Sequence, residues 1–251
     1  MDEPGFPADA GAAAHVLVDA LADEVTVEGA DGHHLARARR LRAGEMVTAA
    51  DGRGAWRPYA VAEVRRGAIV LGATGTVRRE PELVPRLAVA FALTKGVKPE
   101  TVVRQLTELG VDEVVPVVGE RSVARARGGR EPSVVERLQR VAREAAMQSR
   151  RARLPEIGFP VPLLDLAGRG GLVVAERGHP TGPPGPGEAG WTLLVGPEGG
   201  FSPSESDALR GAPRLAIGAH VLRAETAAVA GAAVLAAVRA PVVPPEGAET
   251  A

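Results

Sequence analysis

Two hydrophobic rhythms divide the chain. From His15 to about Val77 the apolar residues come in short runs broken by turn residues. The runs His15–Val18, Glu24–Val27, Met46–Thr48, Tyr59–Val64 and Ala68–Leu71 read as strands, with Asp51-Gly52 and Arg66-Gly67 as turns between them. Many short strands in so little chain predict a small barrel. His33–Leu41 reads as one short basic helix. The segment after Val77 carries charge and two prolines and reads as a linker over residues 78–84.

From Arg86 onward the rhythm changes. Arg86–Leu93 is a continuous apolar strand, and Glu113–Val118, Leu172–Ala175, Leu193–Val195 and Arg214–Ile217 are further strands. Between them run helices. Pro99–Leu109 is closed by Gly110, and Ser133–Ser149 opens on a Ser133/Glu136 capping-box spacing. Ser202, with Pro203 at the first helical position and Glu205 three residues on, starts a helix that runs to Gly211. Ala224–Ala240 is alanine-rich and stopped by Pro241. Strands alternating with helices argue for a mostly parallel sheet. The pattern therefore predicts an α/β protein: a small β-barrel domain over residues 1–77 and an α/β domain over residues 85–241. Residues 242–251 read as a loose tail.

Composition narrows the chemistry. There are no cysteines, which excludes disulfides, thiolate metal sites and a cysteine nucleophile. His33 and His34 are adjacent and share no face, so no metal site is expected. No run is long and apolar enough to span a membrane, and the acidic first residues have no signal-peptide core; a soluble, cytoplasmic protein is expected. Net charge is near zero, yet Arg121–Arg153 holds ten arginines against three glutamates. Such a segment suits a phosphate backbone; a solvated helix face also accounts for part of it. The two lysines of the chain, Lys95 and Lys98, fall in one four-residue stretch.

Two glycine-bearing turns each follow a strand and open a helix. One is Gly196-Pro197-Glu198-Gly199-Gly200. The other is Ile217-Gly218-Ala219-His220-Val221-Leu222-Arg223. In open α/β sheets ligands bind at the carboxyl ends of strands, where such loops lie. A third loop, Glu176-Arg177-Gly178, follows Leu172–Ala175. The dinucleotide fingerprint and the Walker A pattern are both absent, which disfavours a phosphate-rich cofactor and favours a neutral or zwitterionic nucleoside. A tight turn with no ligand remains the plain alternative for each loop.

The pair of turns resembles a known family. GPEGGFS-x-x-E at Gly196–Glu205, followed by IGAHVLRAETA at Ile217–Ala227, looks like the SPOUT-class methyltransferases. Within them it is most similar to the type that methylates N3 of a uridine near the 3′ end of 16S ribosomal RNA. Thr94-Lys95-Gly96 with Lys98, Glu120-Arg121-Ser122, the run Glu144–Arg151, and His34-Leu35 through Leu41–Glu45 and Asp51-Gly52 resemble the family's other motifs. The chain departs from the family in lacking an arginine on its first strand, and His220 stands where arginine or histidine is expected.

The resemblance implies a PUA-like RNA-binding barrel, a SPOUT α/β domain closed by a trefoil knot, and a homodimer. It also implies S-adenosylmethionine held by Ala175, Glu176, Val195, Gly196, Pro197, Gly199, Gly200, Ile217, Gly218, Val221, Leu222 and Ala227. The RNA partner would be 16S ribosomal RNA in the 30S subunit. Lys95, Lys98, Arg121, Gln148, Arg150 and Arg151 are expected to touch it. Arg223 is expected to stabilise charge on the uracil oxygens as N3 loses its proton. Glu198 or Glu225 would assist proton removal, or simply cap backbone N–H groups. Two alternatives stay open: another SPOUT enzyme acting on tRNA or a ribose hydroxyl, and a catalytically silent RNA-binding assembly factor.

Overall fold

The structure is a computed structural model, and it describes residues 3–33, 35, 36, 40–93, 98–121, 131–178 and 182–241. Its contacts divide the chain into two compact units. The described part of the first unit is the chain up to Glu82, Arg143–Leu154 and Pro241; the second holds Leu83–Ala142 and Pro155–Ala240. The expected division near residues 77 and 85 treats each domain as one continuous stretch. Here Arg143–Leu154 belongs instead with the N-terminal strands.

The first unit is built from β1 (Glu3–Pro4), β2 (Ala14–Leu17), β3 (Glu24–Val27), β4 (Met46–Ala50), β5 (Ala55–Arg65), β6 (Ala68–Ala73) and β7 (Arg78–Arg79), with a short helix α1 (Gly29–His33). The strands form one mixed sheet in the order β1-β7-β5-β4-β2, with β6 pairing both β5 and β3. Arg78–Arg79, expected in a linker, is thus a short strand between β1 and β5, paired with Glu3–Pro4 on one side and Ala55–Trp56 on the other. The expected helix His33–Leu41 is described only in part, and the described helix begins at Gly29.

Turn chemistry sets these hairpins. Asp51 accepts the Arg53 and Ala55 N–H groups at 2.7 and 3.1 Å, and Gly52 (φ 75°) takes the left-handed turn that side chains resist. Val16, Val47, Ala49, Tyr59, Val61, Ile69 and Leu71 make the core. A second cluster joins Leu17, Ala50 and Trp56 to Ala146 and Ala152. His15 is buried among them. Its Nε2 donates to the Arg151 carbonyl at 3.1 Å and its Nδ1 accepts from Thr48 Oγ1 at 2.8 Å.

The second unit begins with β8 (Leu83–Val84) and β9 (Leu87–Ala92). It continues through α2 (Pro99–Glu108), β10 (Glu113–Val118) and α3 (Glu131–Ser149), whose last turns enter the first unit. Then come β11 (Glu156–Ile157), β12 (Val161–Pro162), β13 (Leu172–Ala175), β14 (Trp191–Val195), α4 (Pro203–Ala208), β15 (Arg214–Leu215) and α5 (Ala224–Ala236). The sheet runs β11-β10-β9-β14-β13-β15, and every pairing is parallel.

The central strands β9 and β14 are buried along their whole length. This is why they read as unbroken apolar runs: helices cover both faces of a parallel sheet. Val102, Val103 and Leu106 of α2 and Ala228, Ala232 and Leu235 of α5 complete that core. Gly231 lets α5 approach, since a Cβ there would lie 2.7 Å from Leu193 Cδ2. Helix boundaries differ from the pattern. α4 ends at Ala208, short of the expected Gly211. α3 starts at Glu131, so Ser133 lies inside it rather than at its cap. α5 ends at Ala236, short of the expected Ala240. Just beyond the helix end, the Arg239 guanidinium donates to the carbonyls of Pro85, Gly110 and Leu83 at 2.7, 2.8 and 2.8 Å and pairs with Asp112.

Candidate functional site

Three loops at the carboxyl ends of β13, β14 and β15 enclose one cleft of about 600 Å³. Each is shaped by its own residues. After β14 the chain turns at Gly196, where a Cβ would lie 2.6 Å from the Phe201 ring. That glycine is therefore required by the packing of Phe201, and not only by the approach of a ligand. Gly200 (φ 72°) donates to the Pro197 carbonyl at 2.9 Å and closes the turn. The capping box then starts α4: Ser202 Oγ accepts the Glu205 N–H at 3.2 Å, and Glu205 accepts the Ser202 N–H at 2.8 Å.

After β13, Glu176 is held by Arg214, whose Nε donates to it at 2.6 Å while Nη1 donates to the carbonyls of Leu209 and Ala212. After β15 the loop through Gly218 and Val221 is open. Nothing lies within 4 Å of a Cβ built on Gly218, and Val221 is 83% exposed. Arg223 occupies the N-cap of α5 with its side chain in solvent.

The cleft is lined by Ala175, Glu176, Val195, Gly196, Pro197, Gly200, Ile217, Gly218, Val221, Leu222 and Ala227 of the expected cofactor set, and by Glu198 and Arg223. Two expected members lie elsewhere. Gly199 is exposed, with its carbonyl accepting from Arg121 Nη1 at 3.2 Å. Glu225 faces a separate groove with Gln105, Glu108, Leu109 and Val229, because one residue along a helix turns the side chain by about a quarter circle.

Of the expected RNA residues, Lys98 is the exposed N-cap of α2 and Arg121 stands beside the β14 loop. Lys95 lies outside the described residues. Gln148 lines a cavity of the first unit with His15, Glu144 and Met147. Arg150 takes a left-handed conformation (φ 59°) just after α3, and Arg151 receives the His15 bond. Arg177 and His220, which lie within the expected loops after β13 and β15, line the cleft as well. Phe201, Ser206, Leu215 and Ala224, which the sequence motifs did not assign to it, also line it.

The arrangement offers exposed backbone at two glycine turns, apolar walls from Val195, Ile217, Leu222 and Ala227, and charges of both signs at the rim. It suits a nucleoside-sized zwitterion. Among the described residues no group of histidines and carboxylates is placed to hold a metal ion, and no helix is long and apolar enough to cross a membrane.

The comparisons with known proteins place the chain in a family. The model of the RNA methyltransferase domain matches residues 81–236, and that of the RNA methyltransferase PUA domain matches residues 27–72. The chain belongs to the RNA methyltransferase family, with an α/β domain and a PUA domain. Among relatives, it is 35% identical over 230 residues to the ribosomal RNA small subunit methyltransferase E of Mycobacterium bovis, covering 84% of this chain and 86% of that one. The Bacillus subtilis protein of the same name is 26% identical over 218 residues, covering 80% and 85%. In fold, the chain is similar to the Neisseria gonorrhoeae ribosomal RNA small subunit methyltransferase E crystallised with S-adenosyl methionine. The TM-score is 0.76 at 21% identity, over 88% of this chain and 96% of that one.

Proposed function

We propose that this chain methylates N3 of a uridine in 16S ribosomal RNA, using S-adenosylmethionine. The observation that carries the reading is the convergence of the GPEGG and VLRAETA loops on one cleft at the strand ends, in a chain of this family. The likeness of its relatives' names supports the small-subunit substrate. The N3 position, the homodimer and the 30S particle rest on the motif resemblance. The trefoil knot likewise rests on the motif resemblance. The mixed sheet of the first unit is read as the PUA-like barrel that grips the RNA.

The cleft fits the cofactor. The apolar walls would take the adenine, and the turns at Gly196–Gly200 and Gly218 leave backbone groups free to bind it. S-adenosylmethionine supplies a methyl group already activated on a sulfonium, so the protein's task is alignment and charge management. Arg223 stabilises the charge that spreads to O2 and O4 as uridine N3 loses its proton. Glu198 lines the cleft and is exposed, which supports giving it the role of receiving that proton. The target base must be unstacked to reach this site.

The test is transfer of label from S-adenosylmethionine to 30S subunits, free 16S RNA and tRNA, with the modified nucleoside identified by mass spectrometry. Label in 3-methyluridine from ribosomal RNA is expected; label in tRNA or at a ribose hydroxyl overturns the reading. Arg223→Ala is expected to lower kcat by about a hundredfold or more while cofactor affinity stays within about threefold.

A further inference from the structure

One buried carboxylate beside the cleft has no place in the proposed chemistry. Glu205 is 1% exposed. Its Oε2 accepts the Ser202 N–H and completes the capping box. Its Oε1 goes further and accepts the backbone N–H of Glu120 at 2.7 Å, from the segment that follows β10. Glu120 returns the contact, its Oε1 accepting from Ser204 Oγ at 3.0 Å. The next residue, Arg121, donates from Nη1 to the Gly199 carbonyl. The segment after β10 is thereby latched to the loop between β14 and α4.

The residue type is informative. A capping box accepts glutamine as well as glutamate. Here both side-chain oxygens accept from backbone N–H groups, and a glutamine has only one acceptor to offer. Burying a charged carboxylate is costly unless such bonds are made. Glutamate is therefore demanded by the latch and not by the cap. What the latch holds in place is Arg121, which is exposed and has no carboxylate partner among the described residues. Its donors beyond the Gly199 bond are available, and the sequence continues into Arg125, Arg127 and Arg130.

We infer that Glu205 is a positioning residue: through Glu120 it sets Arg121 at the edge of the cofactor loop, where the guanidinium meets a phosphate of the RNA strand whose nucleotide enters the cleft. The inference rests on the RNA methyltransferase reading above. A planar guanidinium fork suits a phosphate, and its value depends on being held in one place.

The experiment compares Glu205→Gln, Ser202→Ala and Arg121→Gln in the full-length protein. Ser202→Ala removes the cap acceptor and the 2.8 Å contact with Ser204 Oγ but leaves both Glu205 acceptor bonds, so it controls for loss of the cap. Glu205→Gln is expected to raise KM for ribosomal RNA about tenfold, with kcat and cofactor affinity within about threefold, and to speed amide exchange at Glu120. Ser202→Ala is expected to lower Tm comparably without moving that KM. Arg121→Gln is expected to reproduce the KM rise, and the double variant to add nothing further. Equal KM effects from Ser202→Ala and Glu205→Gln, an unchanged KM in Arg121→Gln, or additive effects overturn the inference. If the unaltered protein transfers no methyl to ribosomal RNA, the proposed function falls and this role with it. An active protein with any of the other contrary results overturns the latch alone.

Discussion

Single residues divide into those whose neighbours in sequence predict their role and those whose role comes from distant chain. Arg223 and Glu198 are of the first kind: each stands in a motif, and each lines the cleft. Glu225 is in the same motif but faces the groove of α2 and α5. Glu198→Gln is accordingly expected to lower kcat about tenfold to a hundredfold and Glu225→Gln to leave it within about twofold, as measured by single-turnover methyl transfer. His15 is of the second kind. Burial lowers its pKa from 6.5 to about 4, the bond to the Arg151 carbonyl opposes this, and Arg150 adds to the lowering. The native imidazole is neutral, so its contribution is intact above pH 6.5 and is lost as pH falls toward 4. The loss is on the order of 3 kcal/mol by linkage. Urea unfolding between those pH values is expected to show it, and His15→Asn is expected to flatten the slope.

At the scale of elements, local pattern was a good guide where the element is defined by its own surroundings. Glu113–Val118 and Leu172–Ala175 are strands with the bounds their apolar runs predict, and the Ser202 capping box is present in full. Pattern failed where a boundary is set by something remote. Just past the end of α5, Arg239 binds the carbonyls of Pro85 and Gly110, and the strand Arg78–Arg79 depends on pairing with β1 and β5. A charged segment with two prolines carries no local sign of that pairing. The glycine loop shows the same division. That glycines crowd the turn is evident from the motif, but that Gly196 makes room for Phe201 is a matter of packing. Gly196→Ala is expected to displace that ring, destabilising the protein by about 1–3 kcal/mol and weakening cofactor binding, read by calorimetric Tm and titration.

At the scale of the whole molecule, distant segments are tied together by few, buried groups. Arg239 has a fully buried side chain, and burial lowers its pKa while Asp112 opposes the change. Asp112 in turn accepts the Leu87 N–H at 2.8 Å. Arg239→Ala would strand that carboxylate and three carbonyls, and is expected to cost about 3–5 kcal/mol in equilibrium unfolding. The fold class, the alternation that builds the parallel sheet and the two glycine loops that line the cleft were legible in the chain, because each depends on contiguous residues whose periodicity and turn chemistry are local. The joining of Arg143–Leu154 to the N-terminal strands, the turning of Glu225 out of the cleft and the latch of Glu205 on Glu120 were decided by tertiary structure. Each needs two stretches far apart in sequence to meet, and buried polar groups take whichever partners the folded chain brings within reach.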